Sequence, residues 1–471
     1  MRKHVRVRNG KARPVFCLTA LSAALLSIMG GGASANEYSY ANDPGYVAAD
    51  PSQVAAAKAS WETAEYLRSG GLAVLNASSA YALGYFGQNR TVGVMDSGSL
   101  ATHRDFQGDR WTFVVQKGTY GTSGMRYRGS GYFTNLASGP RPLGEPYTAG
   151  DPFDLTGAYD PAINDSHGTS VTGLVGGNRD GDPTALNMHG LAFGTNMVIG
   201  NTGATDSNNY GPYQDYNFFY AGWKAMAEAG AEVINNSWGT NIRINLAKNT
   251  DPASNSYYPF DNSGGPGQDG VLDNSVKGLD GGNVGNMIPT NNVPQAEYEY
   301  FYWKKVYGDG NKSFVDAAYD VSKEYGTVFV MTTGNRDNGS PFHRALYPYF
   351  HPDAEQYWIA AAGIMKEDGD LSTSGLQWNG RYVLVNAINS ETGVGTGTTG
   401  SYNEAGLAKW WTMTGYTLGD AYTTNLSGTW GTGSFSGTSC AAPHLAGAMG
   451  VLMSRYMNMP ATQVRDVMFT T

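Results

Sequence analysis

From about residue 89 onward, short apolar runs alternate along the chain with longer segments that have helical spacing. The apolar runs predict strands at 91–95, 196–200, 232–235 and 327–332. The segments between them predict helices at 168–176, 219–229 and 312–325. Strands that alternate with helices form parallel sheets covered on both sides. The pattern therefore predicts an α/β domain with a mostly parallel central sheet and helices on both faces.

Three segments depart from this alternation. Residues 36–88 predict an N-terminal extension with helical segments and no obvious catalytic cluster. Residues 240–311 are rich in Asn, Asp, Gly and Pro, which predicts a surface insertion within the domain at 89–471. Residues 390–436 are crowded with Gly and Thr, and they predict irregular strands and loops ahead of a final helix.

The first 35 residues have the three parts of a signal peptide. Six basic residues between Arg2 and Arg13 precede an apolar run at 15–29, and small residues follow at 33–35. The apolar run is too short to span a bilayer comfortably, so cleavage after Ala35 is favoured over a membrane anchor. We therefore expect an exported protein.

The charge composition of the exported chain argues against one class of binding partner. The sequence has 31 Lys and Arg and 40 Asp and Glu, and six of the basic residues belong to the leader, which leaves 25 basic residues and a net charge of −15. A surface this acidic repels phosphate backbones, which argues against nucleic acid binding. Of the two cysteines, Cys17 lies in the leader, so Cys440 has no partner for an internal disulfide.

Three reactive side chains lie where predicted strands end or predicted helices begin. Asp96 follows the first strand in TVGVMDSG, His167 opens a helix in DSHGTSVTG, and Ser439 opens the final helix in GTSCAAPH. Open α/β sheets assemble their sites at such ends. A hydroxyl, an imidazole and a carboxylate together supply a nucleophile, its base and the group that orients the base. Asn335, in TTGNRDNG, adds an amide suited to holding an oxyanion.

These motifs resemble those of the subtilisin-like serine proteases, the peptidase S8 family, from about residue 80 to the end. That family has an Asp in V-x-V-x-D-[ST]-G, a His in HGT, an Asn in GN and a Ser in GTS-x-[AS]-x-P, in this order. The resemblance implies a subtilisin-like three-layer sandwich, a catalytic triad of Asp96, His167 and Ser439, and an oxyanion hole at Asn335. It implies a serine endopeptidase that acts on proteins or peptides and requires no cofactor.

The same resemblance implies a set of substrate-binding residues. Ser237, Trp238 and Gly239 would line the primary specificity pocket and offer backbone groups to an extended substrate. Thr333 and Gly334 would form the opposite wall.

A finer resemblance connects the chain with the passenger protease domains of bacterial autotransporters. It rests on VINNSWG, GLAFGTNMVIGNTGATDS and the closing LMSRYMNMPATQVRDVMFTT. It implies an outer-membrane β-barrel translocator as export partner and a location outside the cell or on the bacterial surface. The sequence stops soon after the helix of Ser439, before the strand-and-helix ending usual in the family, so we expect an incomplete C-terminal end.

The sequence also departs from the family pattern at two positions. Ser170 replaces a frequent second His and is expected to alter helix packing, while Cys440 replaces a frequent Met and is expected to be buried. Calcium is a candidate ligand because of acidic residues in the insertion, among them Asp261, Asp269 and Asp273. They match no complete calcium-loop pattern, so no metal site is predicted.

Two other classes of function stay open at this point. The chain could be a binding protein that keeps a protease fold without hydrolysis. It could also be an esterase or lipase, which is disfavoured because no G-x-S-x-G elbow surrounds the nucleophile.

Overall fold

The structure, a computed structural model, describes most of the chain after residue 44. The described residues are 45–122, 124–126, 145–161, 163–180, 188–203, 215–238, 312, 314–335, 341, 343–366, 382–384, 402, 405–417, 422–426 and 432–470. The predicted signal peptide and the predicted insertion lie outside these residues, so both stay predictions.

The strands form one large sheet and three small hairpin-like pairs. They are β1 (Thr91–Asp96), β2 (Trp111–Phe113), β3 (Val115–Thr119), β4 (Gly124–Arg126), β5 (Glu145–Tyr147), β6 (Pro152–Thr156), β7 (Asn196–Asn201), β8 (Val233–Asn236), β9 (Val328–Thr332), β10 (Trp358–Lys366), β11 (Tyr382–Leu384), β12 (Thr412–Tyr416), β13 (Tyr422–Thr424) and β14 (Thr432–Ser434). The large sheet runs β2, β7, β1, β8, β9, β10, and these strands are all parallel. At β10 it is extended by parallel β12 and antiparallel β11. The small pairs are β3 with β6, β4 with β5 and β13 with β14.

Helices cover both faces of this sheet. They are α1 (Val54–Trp61), α2 (Ala64–Arg68), α3 (Gly70–Val74), α4 (Ala77–Ala82), α5 (His167–Gly176), α6 (Tyr216–Glu228), α7 (Phe314–Tyr325), α8 (His343–Phe350), α9 (Thr438–Arg455) and α10 (Ala461–Thr470). Successive side chains of a strand point to opposite faces. Accordingly, Met95 of β1 packs into a core with α6 and α7, whereas Val94 packs into a second core with α5 and α9.

Residues 45–88 join the second core through α1 to α4. Trp61 and Tyr81 pack against Phe193, which follows α5, and the Tyr81 hydroxyl donates to the Leu191 carbonyl at 2.6 Å. Gly71 lies so close to His444 of α9 that a Cβ there would be 2.1 Å from the imidazole Nε2. Only glycine allows this approach, so α3 packs directly against the helix that carries Ser439.

The predicted fold class is confirmed. The large sheet is parallel except for β11, and the predicted strands and helices agree with the observed ones to within three residues at each end. Within the described ranges, no helix combines the length and the apolar character that crossing a membrane requires.

Candidate active site

The carboxyl end of β1 positions an aspartate against a histidine. Asp96 is the last residue of β1 and only 1% exposed, and its Oδ1 accepts a hydrogen bond from the Ser97 backbone N–H at 2.7 Å. The same oxygen lies 2.8 Å from Nδ1 of His167, the first residue of α5. An acceptor at this distance fixes the imidazole plane and its tautomer. The two residues are 71 positions apart, and the sheet edge brings them together.

Ser97 attaches the start of α5 to the turn after β1. Its hydroxyl donates to Asp165 Oδ1 at 2.8 Å and accepts from the Gly168 N–H at 2.9 Å. Asp165 Oδ1 also accepts from the His167 N–H at 3.0 Å. A Cβ at Gly168 would lie 2.3 Å from the Gly98 carbonyl oxygen, so glycine is required at this crossing. These contacts hold the histidine in place through the backbone on both sides of it.

The nucleophile candidate lies at the start of α9. Ser439 is 7% exposed, and its hydroxyl donates to the carbonyl oxygen of Ser237 at 2.6 Å. Ser237 directly follows β8, so the hydroxyl sits at the same carboxyl edge of the sheet as Asp96. Both α9 and α5 pack into the core on one face of the sheet, through residues such as Leu445 and Val171.

Asn335 follows β9 and contacts the residue before Ser439. Its Oδ1 accepts hydrogen bonds from both the N–H and the hydroxyl of Thr438, each at 2.9 Å. A backbone N–H can only donate, so the atom that accepts the Thr438 N–H must be the oxygen of the Asn335 amide. The amide nitrogen Nδ2 therefore points away from the Thr438 N–H. A Cβ placed on Gly437 would lie 3.0 Å from Asn335 Nδ2 and 3.6 Å from the Ser439 N. Two donors, one from a side chain and one from the backbone, therefore lie near the position that a Gly437 side chain would occupy.

Two of the predicted substrate-binding residues have buried side chains. Trp238 is 1% exposed, with its indole N–H donating to the Met95 carbonyl at 2.7 Å, and Thr333 donates its hydroxyl to the Ala361 carbonyl at 3.2 Å. Both side chains face the interior, so neither side chain is available for the predicted role.

The other three substrate-binding predictions concern backbone or lie outside the described residues. The Ser237 carbonyl is the acceptor of the Ser439 hydroxyl, and the Gly334 N–H donates to the Thr438 hydroxyl at 3.3 Å. Gly239 lies outside the described residues.

The β13–β14 hairpin contributes a residue that sequence reasoning did not single out. The ring of Phe435, just after β14, packs edge to face on the His167 imidazole with centroids 5.2 Å apart. A pocket opens beside this contact, lined by Asp165, Ser166, His167, Ser170, Asn425, Gly433, Ser434 and Phe435. Phe435 lies four residues before the nucleophile in a Gly/Ser-rich run, and its place in the sequence gave no signal beyond that proximity.

The two departures from the family pattern have structural explanations. The Ser170 hydroxyl donates to the Thr424 carbonyl at 3.0 Å, and the Ser170 carbonyl accepts from the Thr423 hydroxyl at 2.5 Å. These two bonds connect α5 to the hairpin. Cys440 is fully buried in α9, as predicted. The acidic residues considered for calcium lie outside the described residues.

Asp96, His167, Asn335 and Ser439 lie along the carboxyl edge of a parallel sheet, and comparison with known proteins identifies the class to which this arrangement belongs. Residues 87–471 match the model of the subtilase family, and the chain belongs to that family. Two curated relatives, each named an extracellular serine protease of Serratia marcescens, are 27% identical over 438 residues and 25% identical over 428 residues. The alignments cover 90% and 88% of this chain but only 33% and 32% of the relatives, so the chain spans about a third of their length.

Among solved structures, the chain is similar to fervidolysin from Fervidobacterium pennivorans, a keratinolytic enzyme related to subtilisin. The TM-score is 0.41 at 18% identity, with 85% of this chain and 41% of fervidolysin covered.

Proposed function

We propose that the chain is an exported serine endopeptidase that hydrolyses peptide bonds in proteins through an acyl-enzyme. The observation that carries the proposal is the 2.8 Å contact between Asp96 and His167 Nδ1 at the sheet edge where Ser439 lies in the first turn of α9. Membership of the subtilase family and the names of the Serratia relatives support the activity and the location outside the cell.

In the proposed reaction, His167 is the general base and Asp96 its orienting partner. The Asp96 carboxylate accepts from Nδ1, which leaves Nε2 of His167 as the atom that takes the hydroxyl proton of Ser439. In the resting arrangement that proton is given to the Ser237 carbonyl, so attack requires the hydroxyl to turn from this carbonyl toward the imidazole. The serine oxygen then bonds to the substrate carbonyl carbon, and His167 returns the proton to the leaving amine.

The negative charge of the tetrahedral intermediate would fall between Asn335 Nδ2 and the Ser439 N–H. Both donors lie near the position that a Cβ on Gly437 would occupy, and Thr438 fixes the orientation of the Asn335 amide. Donors held in place before the reaction stabilise a developing oxyanion without reorganising. Water afterwards attacks the acyl-enzyme by the same route, with His167 again as base.

The proposed substrates are extended protein segments. Backbone groups of Ser237, Trp238, Gly239, Thr333 and Gly334 would pair with the substrate as an added strand, because the side chains of Trp238 and Thr333 are turned inward. The proposed export route, through a signal peptide and an outer-membrane translocator, follows from the autotransporter resemblance of the sequence alone.

Replacing the nucleophile tests the proposal. Ser439→Ala removes the attacking oxygen, and kcat for casein should fall by on the order of 10⁶, because such residues act as a unit with their base. A fluorophosphonate probe should label the wild-type chain on Ser439 and leave the variant unlabelled.

Ser454→Ala is the matched control. Ser454 is also buried in α9 and donates to a backbone carbonyl, that of Val451 at 2.6 Å, so its loss perturbs the same helix away from the site. This variant should keep both the labelling and the hydrolysis of the wild type. A wild-type chain that neither labels nor cleaves casein would instead be a binding protein with a protease fold.

A further inference from the structure

Gly437 lies next to Ser439 and Asn335, in a backbone conformation that favours glycine. Its φ of 89° lies in the left-handed region that favours glycine, and it immediately precedes α9. The two candidate oxyanion donors, Asn335 Nδ2 and the Ser439 N–H, both lie near the position that a Cβ on Gly437 would occupy. The orientation of the peptide units that Gly437 joins therefore determines where Thr438, whose N–H bonds Asn335, and the Ser439 N–H lie.

Two buried hydroxyls hydrogen-bond the backbone of Gly437. The Gly437 N–H donates to the hydroxyl oxygen of Tyr402 at 2.8 Å, and the Gly437 carbonyl accepts from the Thr417 hydroxyl at 2.9 Å. Tyr402 is 3% exposed and Thr417 is fully buried, so water does not compete for either bond. Both peptide groups of this residue are thus fixed by side chains from elsewhere in the chain.

The ring of Tyr402 is held independently of its hydroxyl. It packs on Gly363 of β10, where a Cβ would lie 2.8 Å from the ring and 2.9 Å from the methyl group of Thr417. Burial raises the pKa of Tyr402, which keeps the hydroxyl protonated across the working range of a serine protease. A phenylalanine at 402 would keep the packing and lose only the acceptor.

We propose that Tyr402 is a positioning residue for the oxyanion hole, acting through its hydrogen bond with the Gly437 N–H. It contacts neither substrate nor the reacting atoms. Its hydroxyl fixes the peptide unit that precedes Gly437, and from this unit the chain continues through Thr438, which bonds Asn335, to the Ser439 N–H. This inference rests on the proposed function, because the spacing matters only if an oxyanion forms there.

The test is the kinetics of Tyr402→Phe on a peptide substrate. The loss of one buried hydrogen bond that acts in the transition state should lower kcat by about fivefold to tenfold and leave KM at the wild-type value. The rate of fluorophosphonate labelling should fall by a similar factor, because its tetrahedral adduct uses the same donors.

Tyr81→Phe is the matched control for a purely structural effect. Tyr81 is also buried and bonds a backbone group, the Leu191 carbonyl, in the second core, which residues 45–88 share with α5 and α9. Both variants should lose similar thermal stability, and only Tyr402→Phe should lose kcat. Equal kcat in the two variants, with an active wild type, would overturn the positioning role and leave the proposed function standing.

Thr417 provides a second route to the same conclusion should Tyr402→Phe fold poorly. Thr417→Val removes the bond to the Gly437 carbonyl while keeping the shape, and should lower kcat without changing KM. Thr417→Ser keeps the hydroxyl and should restore kcat. A Val variant with wild-type kcat would count against the inference, and a wild-type chain without activity or labelling would overturn both proposals.

Discussion

Two aspartate and histidine pairs lie within one stretch of this chain, and only one of them forms a tight contact. Asp96 and Asp105 are each 1% exposed. Asp96 accepts from His167 Nδ1 at 2.8 Å, whereas Asp105 Oδ2 is 3.6 Å from His103 Nδ1. The first pair joins residues from two elements at the sheet edge, and the second joins neighbours in a single turn.

The difference shows what the sheet edge adds to a buried carboxylate. The nearest cation to Asp105 is Arg104, whose Nε is 3.4 Å from Oδ1, and neither carboxylate oxygen hydrogen-bonds to the described residues. Burial therefore dominates, and it raises the pKa of Asp105 to about 7. Asp96 instead has a backbone donor and an imidazole in place. The same residue types therefore orient an imidazole at Asp96, whereas at Asp105 they leave a buried carboxyl with a raised pKa.

Between these two pairs, the largest expected difference appears when the charge of each aspartate is removed in turn. Asp96→Asn should lower kcat by on the order of 10⁴, because an amide can hold the imidazole in the wrong tautomer and does not support the imidazolium. Asp105→Asn, at the same burial, should leave kcat close to wild type. Steady-state hydrolysis of a peptide substrate measures both. Similar losses in the two variants would mean that the tight pair has no special role.

The pH dependence of stability sharpens the comparison further. The pKa of Asp105 is raised from 3.8 to about 7, so between these pH values the native chain keeps a proton that the unfolded chain releases. The unfolded state then binds fewer protons, and the free energy of unfolding should fall as pH rises, by up to about 1.4 kcal/mol per pH unit. The stability that the protonated Asp105 contributes is fully present below pH 3.8 and is lost above about pH 7.

Denaturant titrations at several pH values, on wild type and Asp105→Asn, measure this slope. The difference in unfolding free energy between the two proteins should change steadily from pH 4 to pH 7 and then level off. A constant difference over that range would show that Asp105 ionises in the folded chain as it does in the unfolded one.

The fold and the pair at the sheet edge were accessible from sequence because each signal is local. An apolar strand that ends in Asp-Ser-Gly and a helix that opens with His-Gly-Thr specify their own geometry. The start of α6 was predicted at 219 but lies at Tyr216, because Asp215 caps the helix by accepting from the Phe218 N–H at 2.9 Å.

Contacts that depend on distant packing were not accessible in this way. The ring of Trp238 stacks on Phe219 and Trp223 in the core on one face of the sheet, a packing that no local motif indicates. Tyr402 reaches Gly437 across 35 residues, and no spacing rule connects the two. Contacts of this kind can be identified only when the structure shows which loops lie together at one edge of the sheet.

The smallest expected effect tests how the tight pair is supported. Ser97→Ala removes a hydroxyl that joins Asp165 to the Gly168 N–H, and a buried donor that loses its partner costs about 1–3 kcal/mol of unfolding free energy. Because these bonds hold the start of α5, kcat should fall together with stability. Ser97→Thr keeps the hydroxyl and should retain both. An alanine variant that is destabilised but fully active would show that the contact between Asp96 and His167 forms without this turn, and that the sheet edge alone distinguishes it from the pair at Asp105.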